Sequence, residues 1–309
     1  MDKVNVILST YNGEKYISEQ LESILLQTSV ETFVTIRDDG STDNTVKCIE
    51  EWKSRYPNRI EYIVGDNIGY RRSFLTCLKH AKDDYDYYAF ADQDDVWCEE
   101  KCIRGIKKIH LYKEECAVYA CSLSVTDDKL SPLYKNDITS SPNTLLSFFS
   151  RMRLPGCCML FTKKTKKIAE LFSDLSLDNE FMLDHDFIVG TVGYACGHVV
   201  RDDKEMILHR RQSKSLTNGG KGIIARIKGE YGVVFMRKDI KYTIAKMMLN
   251  FDNDNKIHIN NEASEFFSTI KDYKNSLACR WKLLTYKGFS SGIFLGDLEV
   301  RIKVLLGNY

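Results

Sequence analysis

No apolar stretch in this sequence approaches the roughly 20 residues that a membrane-spanning helix needs, so no span is expected. The opening "MDKVNVILSTYN" starts charged and turns polar after a short apolar run. That is too little for a secretory leader and points to a cytoplasmic protein. Net charge is nearly absent: 44 Lys plus Arg against 43 Asp plus Glu leave +1, so no global sign marks a nucleic-acid binder and no nucleic acid is expected as partner. The ten cysteines lack the paired spacing of zinc ligands, at Cys98 and Cys102 as at Cys157 and Cys158. In an intracellular chain they read as reduced, small apolar residues. Internal repeats and low-complexity tracts are also missing. So are two phosphate cradles: no G-x-G-x-x-G follows the first apolar run and no G-x-x-x-x-G-K-[ST] occurs. Dinucleotide oxidoreductases and P-loop hydrolases lose their defining loop.

What is present is an alternation of two periods. "VNVILST" is a short apolar run, and "EKYISEQLESILLQ" then sets Ile17, Leu21, Ile24 and Leu25 at helical spacing. "TFVTIRDDG" reads as a second strand, and "STDNTVKCIEEWKSRY" as a helix opened by capping residues. "RIEYIVGDN" and "YRRSFLTCLKHAK" repeat the pair, and "YYAFADQDD" makes a fourth strand. Four strands alternating with three helices imply right-handed crossovers and a largely parallel sheet. The polar clusters "STYN" (9–12), "DDGSTD" (38–43) and "DQDD" (92–95) then all follow carboxyl ends of strands, where open α/β sheets bind ligands. Beyond residue 100, strands are expected over 116–125 and 155–162, helices over 164–173 and 183–196, and a strand pair over 198–209. From about 223 onward the pattern is helical.

The densest of these clusters is the most informative. Asp92, Asp94 and Asp95 crowd three carboxylates into four positions after an apolar strand. Like charges at such a place need open water or a cation. Asp92-Gln93-Asp94 sets two carboxylates on the same side of an extended segment, which suits Mg²⁺ or Mn²⁺ shared with substrate phosphates; an exposed acidic turn is the plain alternative.

Taken together, "VNVILSTYNGEKYISEQLESILLQT", "RDDGSTDNT", "DNIGYRRSF" and "FADQDDVW" resemble, in order and spacing, the successive motifs of family-two inverting glycosyltransferases of the GT-A fold. The D-Q-D-D-V-W form is most like the bacterial rhamnosyltransferase-type members. The resemblance runs from residue 3 to about 215. It implies a GT-A, Rossmann-like catalytic domain over 1–222, with a nucleotide-binding half at 1–100 and an acceptor-binding half at 101–222. A helical extension would occupy 223–309.

The resemblance also implies roles. Ser9 and Tyr11 fall where the base and ribose are cradled, and Asp38 where a carboxylate accepts from the base, although Asp38 and Asp39 would as readily form an Asx turn with Gly40. Arg71 or Arg72 falls near the cationic contact to the diphosphate, Arg72 being the residue chosen. Asp92 would touch the ribose and metal region, and Asp94 would be the main ligand of the divalent cation. In "NEFMLDHDFIVGTVGY" Asp186 takes the position of the catalytic base, with Asp184 as rival, two residues away. The family's metal-site histidine is replaced here by Gln212 in "LHRRQSKSLT". A Gln amide is adequate for Mg²⁺ and poorer for Mn²⁺, and His209 is a candidate substitute. Gly156 in "PGCCMLF" would let the backbone approach sugar or acceptor, with Cys157 and Cys158 as packing residues.

The implied activity is transfer of a sugar, rhamnose by resemblance, from a nucleotide-diphosphate donor to a glycan or polyprenyl-linked glycan acceptor in bacterial surface polysaccharide assembly. Galactosyl, glucosyl or N-acetylhexosaminyl transfer is the nearest alternative. A non-catalytic nucleotide-sugar binder would not need Asp186, and a nucleotidyltransferase would want a Gly-rich basic loop after the first strand. Residues 201–250 hold twelve Lys/Arg against five Asp/Glu. The aromatic and basic segments after residue 223 either lie on an anionic membrane surface, a peripheral association, or pack as ordinary helices.

Overall fold

The structure, a computed structural model, describes residues 1–150, 154–178, 183–211, 240–290, 294–307 and 309. The first half alternates as its periods predict: β1 (Lys3–Thr10), α1 (Ile17–Leu25), β2 (Glu31–Asp38), α2 (Thr45–Arg55), β3 (Ile60–Val64), α3 (Tyr70–His80) and β4 (Tyr87–Ala91). β1 pairs in parallel with both β2 and β4, and β2 with β3. Parallel strands covered on both faces carry near-continuous apolar runs, which is why β4, "YYAFA", is buried at every position. α1 seals one face with Ile17, Leu21 and Ile24, all fully buried.

After β4 come β5 (Val96–Trp97), α4 (Lys101–Ile109), β6 (Cys116–Thr126), β7 (Pro132–Asn136), α5 (Leu145–Ser150), β8 (Met159–Thr162), α6 (Lys163–Asp178), α7 (His185–Cys196) and β9 (Gly197–Arg210). The sheet runs β3-β2-β1-β4-β8-β6-β9-β5, with β7 alongside β6. Two local expectations change. The strand expected over 155–162 opens with a 3-10 turn at Gly156–Cys158 before β8 begins. The strand pair expected over 198–209 is one strand, β9, parallel to β6. Its ladder passes from Cys121↔Asp202 to Ser122↔Glu205, so Asp203 and Lys204 bulge outward and mimic a turn in the residue pattern. Asp202 anchors that bulge through Arg104 (2.6 Å) and the Tyr119 hydroxyl (3.0 Å).

By internal contacts the chain forms two units, residues 1–139, 154–193 and 197–211, and residues 140–153, 194–196 and 212–309. The boundary expected at 222–223 lies outside the described residues. The second unit contains α8 (Ile240–Asn253), α9 (Asn261–Asp272), α10 (Leu277–Thr285) and α11 (Phe294–Leu306). Asn260 and Ser276 cap α9 and α10 through the amides of Ala263 and Cys279. The unit's core gathers Phe149, Phe266, Phe267 and Tyr309, the Tyr309 hydroxyl donating to the Phe149 carbonyl at 2.9 Å. α11 buries Val300 and Val304 but exposes Phe294, Leu298, Ile302, Leu305 and Leu306, and Leu277 and Trp281 of α10 are exposed as well.

Within the first unit, the start of α7 is seated by packing. His185 stacks on Phe74 at 3.9 Å between ring centroids and meets Phe90 edge-on at 4.5 Å. A Cβ on Gly156 would stand 2.4 Å from His185 Nε2. Glycine at 156 therefore makes room for this ring, a different close approach from the sugar or acceptor contact expected of it. Burial depresses the imidazole's basicity to about 4, with Arg71 adding and Asp184 opposing, so the ring is neutral packing.

Two outcomes follow from that seat. Gly156→Ala is expected to lower stability by about 1–3 kcal/mol, the usual range for overpacking. In the double variant with His185→Asn, which shortens the ring, the two costs should fall short of their sum. Denaturant midpoints of the four proteins check this, and strict additivity would refute the clash. The second outcome is acid sensitivity. Unfolded, His185 takes a proton near pH 6.5; folded, it refuses one until about 4, so its contribution is intact above 6.5 and erodes as pH falls toward 4, by roughly 3 kcal/mol. His185→Asn should flatten the slope of stability against pH in that window.

Candidate active site

The three polar clusters meet at the carboxyl edge of the parallel strands, because β1, β2 and β4 are neighbours in register: Thr10 lies beside Asp38, and Leu8 beside Ala91. Gln93 joins the first cluster to the third. Its Oε1 accepts from the Thr10 hydroxyl (2.6 Å) and the Tyr11 amide (2.9 Å), and its Nε2 donates to the Tyr11 carbonyl (3.2 Å). Any side chain at Gly13 would collide with that amide, a Cβ falling 2.4 Å from Oε1. Asn12, at φ 49°, joins the first cluster to the second by accepting from the Thr42 amide at 2.8 Å.

Each residue singled out in the sequence has a place in this frame. Ser9 sits at the end of β1, hydrogen-bonded to Ser73 of α3 at 2.5 Å, and Tyr11 is exposed beyond it. Asp38 is fully buried, and its carboxylate accepts from the Ser41 amide (2.9 Å) and hydroxyl (2.5 Å). Asp39 is equally committed: it pairs with Arg37 and accepts from the amides of Ile68 and Gly69, both at 2.9 Å. The two aspartates therefore hold loops 39–43 and 65–69, with Ser41 and the 65–69 amides as partners in place of the Gly40 turn expected of them.

At the start of α3 the two arginines separate. Arg71 forms an ion pair with Asp184, whereas Arg72 is half-buried and its Nε finds no hydrogen-bond partner. Asp184 occupies the N-cap of α7 but spends its carboxylate on Arg71 and, at 3.4 Å, the Tyr70 hydroxyl. Asp186 lies in the first turn of α7, half-buried, and accepts from the Phe187 amide at 2.7 Å. A carboxylate there is favoured by the helix dipole. Arg71 thus braces the start of α7 against α3, a role neither residue's neighbours in sequence announce.

The acidic cluster itself divides. Asp94 is half-buried, while Asp92 and Asp95 join two residues from distant parts of the chain. β4 pairs antiparallel with β8, Ala89 facing Leu160, and just beyond that pairing Asp92 comes near Cys157 of the 3-10 turn. β5 pairs antiparallel with β9, Val96 facing Leu208, which brings Asp95 opposite His209. The His209 Nδ1 is 2.9 Å from Asp95 Oδ1, and ligand atoms of Asp92, Asp95, Cys157 and His209 all lie within 4.8 Å of one another. Burial raises the Asp92 carboxyl to about 7, with Asp95 and Asp94 adding and His209 opposing. Burial works against charge on His209, but Asp95 and the Cys157 thiol outweigh it and hold the imidazole above its ordinary value. Asp95 is fully buried, yet its Oδ2 has no hydrogen-bond partner. An orphaned buried carboxylate oxygen close to further donors is the chemistry a divalent cation satisfies, so Asp92, Asp95, Cys157 and His209 fit one. Gln212, the expected second ligand, lies outside the described residues. The sequence analysis has Asp95 in the acidic cluster and Cys157 as packing; their meeting with Asp92 and His209 escaped it, since only the tertiary fold brings them together.

Comparison with known proteins agrees with this architecture. Residues 5–168 match the family described as "Glycosyl transferase family 2". The chain is 32% identical over 167 residues to the dTDP-rhamnosyl transferase RfbG of Shigella flexneri, 51% of this chain and 54% of that protein. With the glycosyltransferase GlyA of Streptococcus pneumoniae it shares 35% over 118 residues, 38% of this chain and 16% of that protein. The matches thus span about half or less of those relatives' length. Among solved structures, S. aureus TarS 1-349 superposes with a TM-score of 0.57 at 17% identity, covering 98% of this chain and 81% of that one. The mannosyltransferase PcManGT from Pyrobaculum calidifontis, in complex with GDP-Man and Mn²⁺, does so at 0.51 and 13%, covering 99% and 88%. Those likenesses give the fold, that of GT-A glycosyltransferases. With the family's model matched over more than half the chain and its motifs seated at one sheet edge, the chain belongs to glycosyl transferase family 2.

Proposed function

We propose that this glycosyltransferase moves rhamnose, with inversion, from dTDP-rhamnose to a glycan or polyprenyl-linked glycan acceptor in bacterial surface polysaccharide assembly. The observation that carries the reading is the convergence of clusters 9–12, 38–43 and 92–95 on one edge opposite the start of α7. The Shigella relative's name supports the choice of sugar and nucleotide. Ser9, Tyr11, Asp38 and Asp92 line the nucleotide side in this reading, and Arg72, whose guanidinium Nε lacks a partner, faces the diphosphate. Asp94 would hold a Mg²⁺ or Mn²⁺ ion, which would neutralise charge on the departing diphosphate.

Asp186 then acts as general base. It takes the proton of the acceptor hydroxyl as that oxygen attacks the anomeric carbon from the face opposite the diphosphate. The carbon–oxygen bond to the diphosphate breaks with its electron pair leaving on phosphate. Asp184 is the weaker candidate because Arg71 already neutralises it. The apolar row Phe294, Leu298, Ile302 and Leu305 along α11, with Trp281 nearby in the same unit, supports a peripheral seat on an anionic membrane face, where a polyprenyl-linked acceptor would reside.

A panel of dTDP-rhamnose, UDP-N-acetylglucosamine, UDP-galactose, UDP-glucose and GDP-mannose, each with Mg²⁺, Mn²⁺ or chelator, tests the donor. dTDP-rhamnose plus cation should raise the melting temperature more than the sum of the separate additions, since ligands binding only the folded state stabilise it by mass action. Preference for another donor would overturn the sugar. Asp186→Asn should cut turnover by roughly 10²- to 10⁴-fold with donor affinity nearly unchanged; a rate within a few-fold of the parent would remove it from the mechanism. Phe294→Ser with Ile302→Ser should abolish co-sedimentation with phosphatidylglycerol vesicles, and equal recovery with and without vesicles in the parent would refute the membrane seat.

A further inference from the structure

We propose that Asp92, Asp95, Cys157 and His209 form a binding site for a zinc-class transition metal, separate from any cation held by Asp94. The argument begins with register. The β4–β8 pairing ends at Ala89↔Leu160, and Asp92 and Cys157 follow just beyond it, Cys157 in the 3-10 turn that opens β8; next to the β5–β9 pair Val96↔Leu208, Asp95 meets His209. Two strand pairs thus each deliver one carboxylate and one softer ligand to the same spot, where the four donor atoms lie within 4.8 Å of one another. The strand pairs that lead into this spot bring the four side chains together in the folded chain, so part of the ordering precedes the ion.

The donor set selects the metal. Mg²⁺ takes oxygen ligands in octahedral geometry, whereas a thiolate, an imidazole and two carboxylates in a tight group suit tetrahedral Zn²⁺ or Co²⁺. The surroundings supply a reason for an ion to enter. Asp95 is fully buried and its Oδ2 is unpartnered, while Oδ1 already accepts from His209 Nδ1 at 2.9 Å and from the Arg210 amide at 3.3 Å. The Cys157 Sγ lies within 4.8 Å of ligand atoms of both Asp92 and His209, so this thiol is not packed against hydrocarbon alone. Entry is open from one side, since His209 is about one-third exposed. Binding displaces the Cys157 thiol proton, and any proton on the Asp92 carboxyl or the imidazole ligand nitrogen, to solvent, and the metal–ligand bonds take their place. None of this depends on which sugar the enzyme transfers.

The test uses the full chain, stripped with chelator and titrated with Co²⁺ and Zn²⁺ alone, without donor. Co²⁺ should produce a thiolate-to-cobalt charge-transfer band and the d–d spectrum of tetrahedral cobalt, saturating at about one ion per chain and bleached by Zn²⁺. Cys157→Ser should remove the charge-transfer band. Cys157→Ser and His209→Gln should each weaken Zn²⁺ binding on the order of 10- to 100-fold or more, a loss that even an indirect partner of a metal ligand reaches. Asp94→Asn should leave the band and the affinity unchanged, which separates this site from the donor's cation. Absence of the band in the parent protein overturns the proposal, whether or not the variants fold. So does a band that survives in Cys157→Ser, or one lost in Asp94→Asn.

Discussion

Three carboxylates at the end of a buried strand are the constraint around which the rest of this protein is arranged. β4 is enclosed on both faces, so Asp92, Asp94 and Asp95 emerge from hydrocarbon already close together, and carboxylates so placed repel one another and lose hydration. The structure answers each differently. Asp95 is drawn inward against His209 and the Arg210 amide, Asp92 stands beside Cys157 with its proton held more tightly, and Asp94 stays half-exposed toward the ligand edge. One short segment therefore carries three chemically distinct acids, because three environments surround it.

The same economy governs the loops above the sheet edge. Asp38 and Asp39 are spent on Ser41, Arg37 and the amides of the 65–69 loop, and Gln93 ties the first loop to the acidic one. These contacts exchange conformational freedom for a fixed edge before any substrate arrives, which lowers the ordering cost of binding. Across that edge, Arg71 and Asp184 join α3 to α7, and the neutral His185 ring fills the space that Gly156 leaves. The first turn of α7, which carries Asp186, is thereby seated by Arg71, Asp184 and His185.

The helical unit solves a different problem. Its aromatic core around Phe149, Phe266 and Tyr309 is closed by hydrogen bonds at Tyr309, whose amide donates to the Tyr273 hydroxyl at 2.9 Å. α11 nevertheless keeps an apolar row outside. Monomeric surfaces tolerate single exposed apolar residues, but a row at helical spacing is the geometry of an interface.

By itself the sequence determined the alternation of strands and helices in the first hundred residues, the edge at which polar clusters collect, and the family motifs at 9–12, 38–43 and 92–95. These are local signals: apolar period, turn residues and clustered charge all act between near neighbours. The tertiary structure alone decided which distant residues meet. Asp95 and His209 are 114 positions apart, and their meeting follows from β5 lying beside β9, a neighbour relation no local pattern encodes. The same holds for Asp92 and Cys157 across β4 and β8, and for Arg71 and Asp184. The bulge at Asp202 shows the converse error, a local pattern read as two strands where pairing with β6 keeps one continuous strand. Side-chain chemistry near the ligand edge was written in short words along the chain, but pairing across the sheet is a long-range choice made by the packed core.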